Sequence, residues 1–240
     1  MKKALITGAN KGIGFETARQ LLNAGYFVYI ACRDAAKGAE AAAQLGNTNI
    51  AVIPLDVTNM DSIIEAREQI GRTTSQLDVL INNAGIRGQL PQTPSTAPQA
   101  FIREVFETNF FGVINVTQVF MDLLKAAEQP RIVNVTSGLA SLTLHSDPAW
   151  VYYPVKSAAY GPSKTALNAY TLALAYELRD TPFKVNAVDP GYTATDFNNH
   201  SGTGSVENAA ALLARFAMLE ADGPTGKYFS NDRNGEESPW

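Results

Sequence analysis

The 240-residue sequence predicts an α/β fold, a doubly wound parallel sheet of about seven strands with helices on both faces. Three observations predict it. Short apolar runs rich in Val and Ile alternate with longer stretches of helical spacing, as in a sheet covered on both faces. A glycine-rich turn follows the first of those runs and opens a helix. The stretches that fit neither pattern, 86–98, 139–159 and 192–205, each follow the carboxyl end of a predicted strand, where open parallel sheets bind ligands.

The strands centre on Ala4–Thr7, Phe27–Ala31, Ile50–Leu55, Val79–Asn82, Ile132–Thr136, Lys184–Val188 and Lys227–Ser230. Helices start near Ile13, Ala35, Met60, Gln99, Tyr160 and Val206, each expected to run for roughly three turns or more. With 45% hydrophobic residues, residues 1–240 are expected to bury one core and form a single domain. A formal charge of −4 and the absence of any Lys or Arg run argue against a nucleic-acid partner. Cys32 is the only cysteine, which excludes an intrachain disulfide and reads as a small buried apolar residue. His145 and His200 have no ligand partners at metal spacing, so no metal site is expected. The first apolar stretch, Ala4 to Ile6, stops at Gly8, too short for a membrane span, and the expected setting is cytoplasmic.

Thr7-Gly8-Ala9-Asn10-Lys11-Gly12-Ile13-Gly14 lies between the first strand and the first helix. Backbone amides and the helix dipole at such a place hold a pyrophosphate, and the glycines let it approach the chain. A plain tight turn into a helix has the same look. The second strand bears on which dinucleotide fits. The slot where NAD sites usually carry a carboxylate holds Cys32, followed by Arg33. Without that carboxylate a 2′-phosphate meets no repulsion, and Arg33 with Lys11 offers it two cations. At about 1.5–3 kcal/mol per charge-assisted contact, the pair would favour NADPH over NADH by two or more orders of magnitude. Against this, exposed Arg and Lys are usually only solvated, and Asp34 is placed to neutralise Arg33.

Tyr160-Gly161-Pro162-Ser163-Lys164 opens a helix, so the Tyr and Lys side chains project from one face. Bringing a tyrosine from its usual value near 10 to neutrality needs about 4 kcal/mol, which one ammonium about 4 Å away supplies at an effective dielectric near 20. The same spacing also serves packing alone, a ring against a lysine stem.

The glycine loop, Asn82-Asn83-Ala84-Gly85, Asn109 in Thr108-Asn109-Phe110-Phe111-Gly112, Ser137, the Tyr160/Lys164 pair and Pro190-Gly191 occur in the order in which they stand in short-chain dehydrogenases/reductases, and the chain resembles that family over nearly its whole length. The resemblance implies a Rossmann-type fold with Asn109, Ser137, Tyr160 and Lys164 as the catalytic group. Tyr160 would donate the proton, Ser137 would orient the carbonyl, Asn109 would help hold a water relay and Lys164 would also grip the nicotinamide ribose. It further implies that the cofactor meets Gly8, Asn10, Lys11, Gly12, Ile13, Gly14 and Arg33, then Asp56 and Val57 near the adenine. Asn83, Ala84 and Gly85 would line the adenosine side, and Pro190, Gly191, Thr193 and Thr195 the nicotinamide. The implied activity is NADPH-dependent reduction of a ketone or aldehyde. Leu142, Leu144, Trp150, Tyr153, Tyr192 and Phe197 favour an apolar, aryl or alkyl substrate, although the same side chains also suit loop packing.

Ser137 and Tyr160 are 23 positions apart, more than in compact members of the family and fewer than in its monomeric carbonyl reductases. That length leaves open whether the chain forms a homo-oligomer. Two other activities compete: a 3-oxoacyl carrier-protein reductase, which should show a basic patch at its mouth, and a non-catalytic NADP(H) sensor, which typically lacks the Tyr or the Lys.

Overall fold

The computed structural model describes all 240 residues. Its strands are β1 (Lys3–Thr7), β2 (Phe27–Cys32), β3 (Ile50–Pro54), β4 (Val79–Asn82), β5 (Arg131–Val135), β6 (Lys184–Asp189), β7 (Tyr228–Ser230) and β8 (Glu236–Glu237). They form one sheet in the order β3-β2-β1-β4-β5-β6-β7-β8, parallel throughout except for the β7–β8 pair. The order reverses between β1 and β4, and that reversal opens a crevice at the carboxyl ends of the strands.

Side chains alternate across the strands and fill two separate cores. Ala4, Ile6, Val28, Ile30, Val79 and Ile81 face α1 (Gly12–Asn23) and α9 (Val206–Ala217), burying Leu21, Leu213 and Phe216. Leu5, Tyr29, Leu80 and Ile132 point the other way, toward α3 (Met60–Gly71) and the helices that follow β4, with Ile63, Ile70 and Phe120 fully enclosed. Each such apolar side chain contributes about 1.5–3 kcal/mol by leaving water. The alternating-run reading of the strands is therefore matched by a sheet buried on both faces.

The differences from expectation are local. The helix predicted from Gln99 does run for more than three turns, but with a π-helical turn inside it. It divides into α4 (Gln99–Phe106), a π-helical turn at Glu107–Phe111, α5 (Gly112–Val119) and α6 (Met121–Lys125). A Cβ on Gly112 would stand 2.9 Å from the Val57 carbonyl oxygen, so the chain must present a glycine where it crosses the β3–α3 loop. An eighth strand escaped the sequence reading because Glu236–Glu237 is two charged residues long. Within 139–159 the chain forms α7 (Leu142–His145), capped by Ser141, whose Oγ accepts the Leu144 N–H at 3.1 Å. Asp34 does not neutralise Arg33. It caps α2 (Ala35–Leu45), accepting the N–H groups of Ala36 at 3.0 Å and Lys37 at 3.2 Å.

A buried polar ladder registers α8 (Tyr160–Glu177) against the sheet. Asn82 Nδ2 donates to Asn134 Oδ1 at 2.9 Å, Asn134 Nδ2 donates to Thr171 Oγ1 at 2.9 Å, and Thr136 Oγ1 donates to Asn168 Oδ1 at 2.7 Å. Unmade, such bonds would each leave a buried polar group that costs about 1–3 kcal/mol. The ladder thus fixes which turn of α8 faces β5.

Candidate active site

The crevice is a cleft of about 890 Å³ that runs from Arg33 and Asp56 past the glycine loop to Tyr160 and Tyr192. Every expected site residue except Asn109 lines it. Its first third is built by backbone. Gly8 and Gly12 adopt φ of +65° and +58°, a region that side chains rarely allow. A Cβ on Gly14 would stand 2.5 Å from Asn83 Nδ2 and 2.7 Å from the Gly8 carbonyl oxygen. The first turn of α1 has no side-chain cap, so its N–H groups remain free for an anion. A phosphate-bearing cofactor fits this cradle.

Asn83 does not itself turn toward the cleft's contents. Its Nδ2 donates to the carbonyls of Thr7 at 2.8 Å and Gly8 at 3.1 Å and so holds the loop closed. Thr7, which sequence reasoning passed over, does the same from the other side, its Oγ1 accepting the N–H groups of Asn83 and Ala84, each at 3.0 Å. Asp56 is similarly occupied, its Oδ1 accepting from the Thr58 N–H at 2.9 Å and the Thr58 hydroxyl at 2.7 Å. Arg33 is exposed and enters no ion pair, but Lys11 is not free. Lys11 Nζ lies 2.9 Å from Asp196 Oδ2, and His200 Nε2 lies 2.9 Å from Asp196 Oδ1. The expected pair of available cations is thus reduced to one by a carboxylate from the 192–205 stretch.

At the far end Ser137 follows β5, with its carbonyl held by the Tyr228 hydroxyl at 3.0 Å. Its Oγ accepts the Leu139 N–H at 3.2 Å and lies on the Tyr160 side of the cleft, close enough to act on the phenol. Lys164 is 4% exposed and donates to the Val135 carbonyl at 2.8 Å. Burial pushes Tyr160 up to about 12 against the lowering effect of the Ser137 contact. Burial likewise pulls Lys164 down to about 8, opposed by the nearby Asp189 carboxylate. The expectation that one ammonium would bring the phenol to neutrality is therefore not met in the free protein, where withdrawal from water, and then the Asp189 charge, outweigh the one lowering influence, the Ser137 contact.

Asn109, fully buried in the π turn, stands behind the cleft wall. Its Oδ1 accepts the Ile86 N–H at 2.8 Å, and its Nδ2 donates to the Ile86 carbonyl at 2.9 Å and to Ser163 Oγ at 3.1 Å. Both Nδ2 hydrogens and one lone pair of Oδ1 are thus spent on positioning the loop after β4 and the start of α8, which leaves one acceptor site on Oδ1. Gln92 was missed altogether. From the proline-containing 86–98 stretch it donates to the carbonyls of Arg87 at 2.7 Å and Gln89 at 3.1 Å, and its Oε1 accepts the Tyr160 N–H at 3.1 Å. A single glutamine among prolines gave no signal. The stretch 192–205 folds back through Asn198, whose Nδ2 donates to the Thr193 carbonyl at 2.8 Å and whose Oδ1 accepts the Thr195 N–H at 3.3 Å.

A doubly wound sheet with a glycine cradle at its switch point, and a Ser, Tyr and Lys gathered beyond it, defines the class of nicotinamide-dependent oxidoreductases. The short chain dehydrogenase family model matches residues 2–205. The chain belongs to that family. It is 29% identical to salutaridine reductase of Papaver bracteatum, covering 95% of this chain and 94% of that one. It is 30% identical to (-)-isopiperitenone reductase of Mentha piperita, with 96% of each covered. Among solved structures, NADPH-bound carbonyl reductase from chicken fatty liver superposes with a TM-score of 0.85 at 26% identity, over 100% of this chain and 99% of that one. No helix is long and apolar enough to cross a membrane.

Proposed function

We propose that residues 1–240 act as one unit that reduces a ketone or aldehyde to an alcohol with NADPH. The observation that carries the reading is the placing of Ser137, Tyr160 and Lys164 on one wall of the cleft that also contains the glycine cradle and Arg33. The reductase names of the relatives point the same way. The bound nicotinamide would supply hydride. Ser137 hydrogen-bonds the carbonyl oxygen and Tyr160 donates the proton to it, so that charge does not build up there. A phenol held near 12 is fully protonated at neutral pH, the state a reduction requires of its acid. Lys164, one turn further along α8, keeps its proton below about 8 and stabilises the phenolate that Tyr160 becomes. Arg33 is the group for the 2′-phosphate, and Lys11 joins it when Asp196 lets go.

The substrate enters over the 86–98, 139–159 and 192–205 stretches, whose aromatic side chains suit an apolar carbonyl compound. A reducing, cytoplasmic setting agrees with the buried Cys32 thiol. The test is turnover of a carbonyl panel with NADPH and with NADH, together with Tyr160→Phe. The variant should still bind NADPH while losing most turnover. Unchanged activity, or no turnover of any carbonyl compound with either cofactor, would overturn the reading.

A further inference from the structure

Several cleft groups with no part in the proton transfer or the cofactor cradle face one another beside Ser137. Gly138 has no side chain, and a Cβ on it would stand 3.3 Å from Asp232 Oδ2, 3.4 Å from Asp189 Oδ2 and 3.6 Å from Trp150 Cζ2. Tyr152 and Tyr192 line the same end of the cleft with ring centroids 6.1 Å apart, and Trp150 packs edge-on against Tyr152 at 5.4 Å. Two carboxylates therefore meet an aromatic wall across a glycine, one residue from the hydroxyl that orients the carbonyl.

This corner gathers negative charge that no ion pair takes up, the buried Lys164 ammonium offsetting only part of it from beyond contact distance. Neither Asp189 nor Asp232 enters an ion pair. Asp189 is 2% exposed and locked, its Oδ2 accepting the Ser230 hydroxyl at 2.6 Å and its Oδ1 the Gly191 N–H at 2.9 Å. It is a fixed charge behind the wall. Asp232 stands at the exposed rim, where a ligand reaches it. Both carboxylates act on the Tyr152 phenol, which burial and then these charges push up. Tyr152 and Tyr192 add two aromatic rings, a surface that attracts cations, to the same end of the cleft. An uncharged ligand gains little from such a field, whereas a cation gains from every part of it.

We propose that the corner formed by Gly138, Asp189, Asp232, Tyr152 and Tyr192 is a subsite for a cationic group, so that the carbonyl substrate carries a protonated or quaternary amine a few bonds from its carbonyl carbon. The proposal rests on the carbonyl-reductase reading, because Ser137 is what places the corner beside the reacting carbon. It narrows the expected aryl or alkyl compound to an amino-bearing one.

The test compares phenacyltrimethylammonium with its uncharged isostere, neopentyl phenyl ketone, on the wild type and on Asp232→Asn. The isosteric substitution removes the rim charge, and circular dichroism checks that the fold is kept. Comparing the same ratio in both proteins cancels the intrinsic difference in reactivity between the two ketones. The ammonium-to-neutral ratio of kcat/KM should fall about tenfold or more in the variant, with the change carried by KM. A ratio that is the same in both proteins while the neutral ketone is turned over overturns the cation subsite and leaves the reductase reading standing. If neither ketone is turned over, calorimetric titration of phenacyltrimethylammonium decides. Binding to the wild type that is lost in Asp232→Asn supports the subsite independently of catalysis, and no binding to either protein refutes it.

Discussion

Replacing Asp189 by Asn should stabilise the protein at neutral pH, and the gain should vanish in acid. The carboxyl is held at about 6 against an ordinary 3.8, first by burial and then by the charge of Asp232. Between those values the unfolded chain has released its proton while the folded protein keeps it, so wild-type stability falls as pH rises through the window and levels off above about 6. With both forms ionised, the penalty is about 3 kcal/mol, and at pH 4.5 it is about 1 kcal/mol. Asn keeps an acceptor for the Gly191 N–H and offers Ser230 Oγ a donor in place of an acceptor, at a loss of about 1–2 kcal/mol that does not depend on pH. The stability difference between variant and wild type should therefore move by about 2 kcal/mol in the variant's favour between pH 4.5 and 7.5. Urea denaturation at the two pH values measures it. A difference that is the same at both would show that Asp189 is ionised without strain and would refute the reasoning. The same substitution removes a charge that holds the Lys164 ammonium, so the alkaline limb of activity should move to lower pH.

In the wild type, the rate of reduction should decline as pH rises through about 8, where Lys164 loses its proton, and a pH profile flat to 10 would contradict that role. Arg33→Asp should raise the Kd for NADPH by about ten- to a hundredfold and that for NADH much less, read by fluorescence titration; equal effects would dismiss the 2′-phosphate role. Gly14→Ala places a methyl group 2.5 Å from Asn83 Nδ2, so it should cost about 1–3 kcal/mol in unfolding experiments and weaken both dinucleotides. Gln92→Leu unties the 86–98 stretch from the Tyr160 N–H, and KM for the carbonyl should rise more than Kd for NADPH.

The strands and the chain's alternation were legible because burial on both faces of a parallel sheet leaves dense Val and Ile runs at β1, β2 and β5, and glycine loops announce themselves by composition. Spacing and order were enough to single out Ser137, Tyr160 and Lys164, which the fold brings to one cleft. What stayed hidden depends on contacts between distant segments. Nothing in the residues around Lys11 foretells Asp196, 185 positions later. The need for a glycine at 112 comes from the Val57 carbonyl, not from any residue of the helix itself. Asp189 and Asp232 lie on different strand ends and become a pair only when β6 and β7 align, and Asn109 acquires its work from Ile86.

The Lys11–Asp196 contact has a consequence for how the dinucleotide comes and goes. A cofactor phosphate reaching Lys11 exchanges one anion for another, so much of the attraction expected from that ammonium is already spent on the carboxylate across the groove. Of the two cations, Arg33 alone adds its full attraction. Added salt weakens the Lys11–Asp196 bridge and the phosphate contact together, because both are exposed and screened alike. Cofactor affinity should accordingly depend on ionic strength about as one cation would dictate, and each exchange at Lys11 would undo the one ion pair that ties the 192–205 stretch to the glycine loop.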